Sequence, residues 1–210
     1  GASGSGKSTM ASLLMKRSKN YSGKIFVGEV DFNEISEKSV MDNITYISHS
    51  SYIFKGTVRD NLLMAKADAR DEELWDVLKK TNLADFFEAD NGLDFEIAEA
   101  GGNLSGGQKQ RTAIARMLIG KSPIMVFDDS LSAVDAETDA KIRKGLMEKG
   151  KNSTVIIISH RITTLMAADN ILVLDKGRLV ESGTHDELIK NTGIYRKIYD
   201  IQSVALNYEE

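Results

Sequence analysis

Gly1-Ala2-Ser3-Gly4-Ser5-Gly6-Lys7-Ser8-Thr9 opens the chain. Gly1, Gly6, Lys7 and Ser8 stand at the spacing of a phosphate loop. Glycines let successive backbone N–H groups turn toward one anion, and the helix that follows points its positive end at it. Lys7 then reaches the β and γ phosphates of a nucleotide, and the Ser8 hydroxyl reaches Mg²⁺. A flexible Gly-Ser terminus or a cloning scar would show the same residues. Such a loop normally joins a buried strand to a helix. The helix is readable, with Met10, Leu13, Leu14 and Met15 as its apolar stripe. The strand is absent, so the expectation is a piece of a larger chain that lacks its N-terminal strands.

Outward from this loop, strand and helix patterns alternate. Residues 24–30 and 44–48 read as strands, and 71–81 as a helix capped by Asp71 with Leu74, Trp75, Val77 and Leu78 turned inward. Residues 106–119 read as a helix with Ile114, Ala115 and Leu118 inward. Ile124-Met125-Val126-Phe127 is an apolar run closed by two acids, the pattern of a strand buried on both faces of a parallel sheet. A helix over 136–148, buried strands over 154–158 and 171–174, and a turn at Lys176-Gly177 leading back into Leu179-Val180 follow. Thr184-His185-Asp186-Glu187 predicts a capping box opening a short helix, with His185 structural. A last helix covers 193–202, and the end of the chain to Glu210 reads as frayed. No internal repeat or proline-rich linker interrupts the pattern, and Pro123, the single proline, precedes a strand. The fold class is α/β.

Composition narrows the function. At 210 residues, one domain is the first expectation and two small ones the second. With 41% hydrophobic residues the chain can bury a sizeable core. A net charge of −4 leaves no basic excess to wrap nucleic-acid phosphates, so no nucleic acid is expected as a partner. The absence of cysteine excludes a disulfide framework, thiol catalysis and a zinc ribbon. Pure apolar runs stop at four residues, as in Val155–Ile158, far short of a membrane span. The opening residues carry none of the charged and apolar regions of a secretory signal.

Two further motifs carry chemistry. Leu104-Ser105-Gly106-Gly107-Gln108 is a second glycine-rich loop at a helix start, hence a second anion site or a plain helix-capping loop. A domain with one phosphate loop has no evident need of a second such site, unless it serves a nucleotide held by another copy. Asp128 and Asp129 close the apolar strand, at the sheet edge where α/β folds bind ligands. Asp128 would hold Mg²⁺ and Asp129 would lie nearer an attacking water; alternatively they form an acidic strand end in solvent.

Together these motifs resemble the nucleotide-binding domain of an ATP-binding cassette (ABC) transporter, of the exporter type in particular. The resemblance runs from Gly1 to about Gln202. In family order it includes the phosphate loop (Walker A), the Gln-loop region Ile47-Ser48-His49-Ser50 and the signature 104–108. The Walker B run 124–129, the D-loop Ser132-Ala133-Val134-Asp135 and a switch histidine, His160, follow. Phe54-Lys55-Gly56-Thr57-Val58-Arg59-Asp60-Asn61-Leu62 and the run Gly177–His185 are similar to exporter domains. The resemblance implies a P-loop NTPase (RecA-like) core over 1–203 with an inserted helical subdomain at about 57–120, and a tail 204–210. It implies ATP and Mg²⁺ as cofactors. Gly1, Ser3, Gly4, Ser5, Gly6, Lys7, Ser8 and Thr9 would hold one nucleotide, and Ser105, Gly106, Gly107, Gln108 and Asp135 would meet the nucleotide of a partner. Lys7, Asp129 and His160 would be catalytic, and Ser8, Asp128 and His49 would face the metal. The implied partners are a second such domain, head to tail, and transmembrane domains in the same or another chain. The implied location is the cytoplasmic face of the cell membrane.

Three departures from the family pattern bear on activity. No residue here can be assigned the adenine-stacking aromatic, which lies upstream in the family. His49 replaces glutamine, and imidazole suits Mg²⁺ poorly because that ion prefers oxygen. Asp129 replaces glutamate, which retracts the carboxylate by roughly 1.3–1.5 Å, and misplacements of about 1 Å can cost on the order of a hundredfold in rate. The segment before the signature, Ile97-Ala98-Glu99-Ala100-Gly101, keeps the family's acid and lacks its arginine. Two functions therefore stand side by side: an ATP-hydrolysing engine of an exporter, and a degenerate ATP-binding module of a heterodimeric exporter. A soluble ABC protein of DNA repair or translation fits less well, because no heptad pattern separates Thr9 from Leu104 and only one cassette is present.

Overall fold

A computed structural model describes residues 1–18, 20–48, 52–130, 134–150 and 153–206. The phosphate loop leads into α1 (Lys7–Leu14). The predicted strand over 24–30 is instead a hairpin of β1 (Phe26–Val27) and β2 (Val30–Asp31). Val27 pairs with Val30, and Gly28 between them takes φ 60°, a left-handed conformation that turns the chain where a strand would have run on. Helix α2 (Glu37–Asn43) follows, started by the Ser36 hydroxyl, which accepts from the Ser39 N–H at 3.1 Å. Strand β3 (Ile44–Ile47) is followed by the short β4 (Gly56–Thr57) and α3 (Val58–Leu63). Thr57 and Asp60 cap α3 reciprocally, through side-chain bonds of 3.0 and 2.8 Å to each other's backbone N–H.

Next come α4 (Asp71–Lys80), α5 (Ala84–Glu88), β5 (Glu96–Ile97) and α6 (Gly106–Ile119). The cap of α4 differs from expectation. Arg70 holds the N-cap position, with its N–H donating to the Glu73 carboxylate at 3.0 Å. Asp71 is drawn away by Arg59, whose guanidinium bridges Asp71 and, at 3.3 Å, Asp94. Both carboxylates hold the Arg59 guanidinium above its ordinary pKa, and that pairing keeps the Asp71 carboxyl below its own. Trp75, expected in the core, is half-buried and lies beside Gly92. The chain then runs through β6 (Ile124–Asp128), α7 (Ala136–Gly150), β7 (Thr154–Ile158), α8 (Ile162–Leu165), β8 (Ile171–Asp175) and β9 (Arg178–Gly183). It ends with α9 (His185–Leu188) and α10 (Ile194–Leu206).

Two compact units result. The larger, residues 20–156, is built on β3 and β6 paired in parallel, Ile44 beside Ile124 through Ile47 beside Phe127. Met125, Val126 and Phe127 are fully enclosed, as the apolar run predicts. Strand β7 lies on the other side of β6, and the boundary between the units falls within it. It was expected to be buried; Thr154 is exposed and Val155–Ile158 are half-buried, because β7 ends the strand order and only β6 pairs with it among the described residues. Helix α6 packs against α3 and α4, enclosing Leu62, Leu74, Leu78 and Ile114.

The smaller unit, residues 1–19 and 157–210, centres on a β8–β9 hairpin. Lys176 and Gly177 form its two-residue turn with φ of 46° and 76°, the left-handed pair that suits the twist of a hairpin. Strand β8 alternates, Ile171 and Val173 buried and Leu172 exposed, where burial of both faces was expected. An antiparallel pair with one covered face needs only every second residue inside. Ile171, Val173, Ile162, Leu188 and Tyr195 form its core. Thr184 and Glu187 cap α9 reciprocally, as predicted. His185 Nδ1 lies 2.9 Å from the Tyr195 hydroxyl, and its ring meets Tyr199.

Within 54–62, Asn61 is fully buried and fully satisfied. Its amide donates to the carbonyls of Phe54 (2.9 Å) and Thr57 (3.1 Å), and its oxygen accepts from the Phe54 N–H (3.1 Å). Asn61→Ala removes three hydrogen bonds made by a fully buried side chain, takes away the side-chain partner of both Phe54 backbone groups, and is expected to lower stability by about 2 kcal/mol or more. Chemical denaturation of the variant checks this, and a loss under about 0.5 kcal/mol, the scale of a surface change, would contradict it.

Candidate nucleotide-binding site

The site residues read from the sequence fall in both units, and each unit builds its own part. In the smaller unit Gly4 (φ 77°) and Gly6 (φ 104°) turn the phosphate loop in conformations that other residues rarely adopt. No side chain caps α1, so the N–H groups of its first turn are left for an anion. The Lys7 ammonium folds over the loop and donates to the carbonyls of Gly1 and Ala2, both at 2.8 Å, and to Ser5 Oγ at 3.3 Å. The loop is anchored from outside by the β8–β9 turn: the Gly177 N–H donates to the Ser5 carbonyl at 3.1 Å. At Gly1 a Cβ would fall 2.0 Å from the Leu174 carbonyl oxygen, so only glycine fits against β8 there. Ser3, Ser8 and Thr9 are exposed, while Ser5 is buried beneath the loop.

His160 follows β7 and is exposed. Its position is set by Gln202 of α10. The Gln202 amide donates to the His160 carbonyl at 2.7 Å and accepts from the Ile162 N–H at 2.9 Å, clasping the turn from both sides.

In the larger unit, Asp128 closes β6 at the C-terminal edge of the parallel strands, and its Oδ2 accepts from the Tyr46 hydroxyl at 2.8 Å. Asp129 is half-buried with φ 50°, a left-handed conformation for which aspartate is better suited than most residues. Ser105 and Gln108 form a capping box at α6: Gln108 N–H donates to Ser105 Oγ (3.2 Å) and Ser105 N–H donates to Gln108 Oε1 (2.8 Å). The Ser105 hydroxyl proton stays available for an incoming acceptor. Gly106 is exposed, with open space where a Cβ would sit. Asp135 is exposed and caps α7 by accepting from the Thr138 N–H at 2.9 Å. That bond and the Thr138 hydroxyl hold its carboxyl below the usual carboxylate range. Tyr52 links the segment before the signature to α6: its hydroxyl donates to Glu99 at 2.5 Å, and its carbonyl accepts from Arg116 at 2.9 Å. Burial lowers the Arg116 guanidinium from its ordinary pKa, and the bond to Glu99 raises the Tyr52 phenol. His49 and the D-loop residues Ser132 and Ala133 lie outside the described residues.

Comparison with known proteins fits this arrangement. The family model described as ABC transporter matches residues 1–132. The chain belongs to the ABC transporter family. It is 41% identical over 202 residues to an uncharacterized ABC transporter ATP-binding protein of Haemophilus influenzae, covering 96% of this chain and 36% of that protein. It is 40% identical over 203 residues to a second such protein from Bacillus subtilis, covering 96% of this chain and 35% of the relative. The solved structure of a bacterial Atm1-family ABC exporter with ATP bound superposes with a TM-score of 0.89 at 35% identity, over 96% of this chain and 35% of the other. The chain is thus an exporter-type ABC ATP-binding domain with the P-loop NTPase fold, and it spans about a third of the length of these relatives. Among the described residues no helix is long and apolar enough to cross a membrane.

Tyr46 and Gln202 are absent from the sequence reading of the site. Alternation along β3 marks which face Tyr46 shares, but its contact with Asp128, 82 residues away, depends on the β3–β6 register. Gln202 sits at the predicted end of the last helix, 42 residues from His160, with no motif to flag it. Gln202→Ala is expected to speed hydrogen exchange at the Ile162 amide by about tenfold, the loss of one hydrogen bond's net contribution. Exchange measured by mass spectrometry on the full-length protein checks this, and unchanged protection would show that the clasp does not hold the turn.

Proposed function

We propose that this ABC domain binds and hydrolyses Mg-ATP and powers export through a membrane. Exporter-type ABC domains are ATP-binding, and the residue assignments that follow are our own reading. Lys7 exchanges its loop carbonyls for the β and γ phosphates. The α1 N–H groups hold the same phosphates, and the Ser8 hydroxyl and Asp128 carboxylate ligate Mg²⁺. These are hard oxygen donors of the kind Mg²⁺ takes. No cluster of three or more His, Cys, Asp or Glu side chains forms among the described residues. When bound, Mg²⁺ neutralises charge that develops on the phosphates. Asp129 orients the attacking water and His160 holds the γ-phosphate.

The observation that carries this reading is a pair of helix starts open to anions, one after Gly6 and one at Ser105–Gly107. The second has a free hydroxyl proton and no steric need for Gly106 within its own chain. A glycine with space around it suits a phosphate arriving from a second copy. Two domains would therefore pair head to tail, with ATP between one copy's phosphate loop and the other's Ser105, Gly106, Gly107 and Asp135. Membrane-spanning domains, in the same or a partner chain, would place the domain at the cytoplasmic face of the cell membrane and convert pairing and separation into transport.

Two variants of the full-length protein separate these roles. Lys7→Ala is expected to cut ATP turnover on the order of a hundredfold or more. Gly106→Ala is expected to keep the fold and single-copy ATP binding, and to lose nucleotide-dependent pairing measured by light scattering or cross-linking. Retained turnover in the first, or retained pairing in the second, contradicts the corresponding assignment.

A second reading, a degenerate ATP-binding module paired with a hydrolysing partner, is favoured by Asp129 and by His49. Under it Asp129→Glu raises turnover of the assembled pair. An unchanged or lower rate, measured as phosphate release, would leave Asp129 as a sufficient water-positioning carboxylate.

A further inference from the structure

Strands β3 and β6 run side by side with Tyr46 opposite Val126. Side chains alternate across a sheet, so Tyr46, Val126 and Asp128 share one face. Val126 is fully buried, while Tyr46 and Asp128 are half-buried. From that position the Tyr46 phenol reaches one pleat onward and donates to Asp128 Oδ2 at 2.8 Å. An aspartate's terminal torsion is broad and close to two-fold, so a carboxylate at a strand end takes its orientation from whatever hydrogen bonds it. The Tyr46 bond is the one hydrogen bond the Asp128 carboxylate accepts among the described residues. It leaves Oδ1 as the uncommitted oxygen. Mg²⁺ demands near-ideal octahedral geometry, so a freely turning carboxylate is a poor ligand for it.

We propose that Tyr46 is a positioning residue for the metal-binding carboxylate, fixing Asp128 so that one oxygen is held and the other is kept for Mg²⁺. This rests on the reading of Asp128 as a Mg²⁺ ligand. Partners that orient metal ligands from behind typically govern 10–100-fold in metal affinity or activity, and Tyr46 stands in that relation to Asp128. Its side chain is half-buried and the bond to Asp128 is made by the hydroxyl alone, so Tyr46→Phe removes that bond and keeps the ring.

The test titrates a hydrolysis-resistant fluorescent ATP analogue into the full-length protein, with Mg²⁺ and again with the metal chelated. The readout is the factor by which Mg²⁺ tightens binding. Tyr46→Phe is expected to leave metal-free affinity within about twofold of the parent and to shrink the Mg²⁺ factor by about tenfold. Mn²⁺ bound in the protein–nucleotide complex, counted by electron paramagnetic resonance, should fall in parallel. Asp128→Asn serves as the reference. If Asp128→Asn retains the full Mg²⁺ factor, the assignment of Asp128 fails. If Asp128→Asn loses it and Tyr46→Phe keeps it, Tyr46 has no positioning role. A Tyr46→Phe protein weakened equally with and without metal would also overturn the proposal, since that is the signature of a merely structural side chain.

Discussion

The phosphate loop depends on one cation. Lys7 has three ammonium protons, and the loop offers three oxygens to them: the Gly1 and Ala2 carbonyls and Ser5 Oγ. These contacts close the loop around the charge, and the Ala2 carbonyl also accepts from the Ser5 N–H at 3.2 Å, which ties the loop to itself as well as to Lys7. The Gly177 N–H on the Ser5 carbonyl and the tight approach of Gly1 to Leu174 brace the loop from the β8–β9 side. A loop braced in this way needs little reordering when an anion arrives, and preorganised donors are worth most where charge is held. In the proposed nucleotide complex, exchange of carbonyl oxygens for phosphate oxygens would also give Lys7 a full opposite charge, which shortens and strengthens such hydrogen bonds.

Elsewhere the same economy of backbone groups governs the helices. Thr57 with Asp60, Ser105 with Gln108, and Thr184 with Glu187 close three helix starts by reciprocal bonds. The Ser105 box differs from the other two in consequence. Gln108 occupies the Ser105 N–H and one of the two lone pairs of the serine oxygen, and the hydroxyl proton takes part in neither bond. The cap therefore leaves the hydroxyl proton available, and the proposed contact with a partner's phosphate would not require the cap to break.

Regular elements with strong local signals were legible in the sequence. Helix 106–119, the Thr184 capping box, the Lys176-Gly177 turn and the enclosed strand ending at Asp128 each carry their reason in adjacent residues. The short helices α2, α3 and α5 escaped detection because five to seven residues hold too few turns for an apolar period to register. The strand over 24–30 was misread because Val27 and Val30 look continuous unless Gly28 is credited with a positive φ. The apolar runs of β7 and β8 predict burial on both faces, whereas among the described residues β7 ends its strand order and β8 has one covered face, a difference that an apolar run does not encode. The motifs stand out in the sequence, while Tyr46 and Gln202, which hydrogen-bond to Asp128 and to the backbone at His160, do not. Their partners are set by register and by helix docking, neither of which a local pattern encodes.

Asp129 shows how local conformation bears on the choice between hydrolysis and binding. Counted by methylenes alone, aspartate is a shortened glutamate and retracts its carboxylate. The backbone there has φ 50°, where a Cβ-bearing residue pays a steric cost that aspartate offsets through its short polar side chain. Glutamate at the same φ lacks that local compensation. Reach and backbone comfort therefore pull in opposite directions at this position, and the chain has settled on the residue that suits the turn. Asp129→Glu would restore the methylene and raise the backbone cost at once, so under the proposed role its effect on the rate is the difference of two opposed contributions.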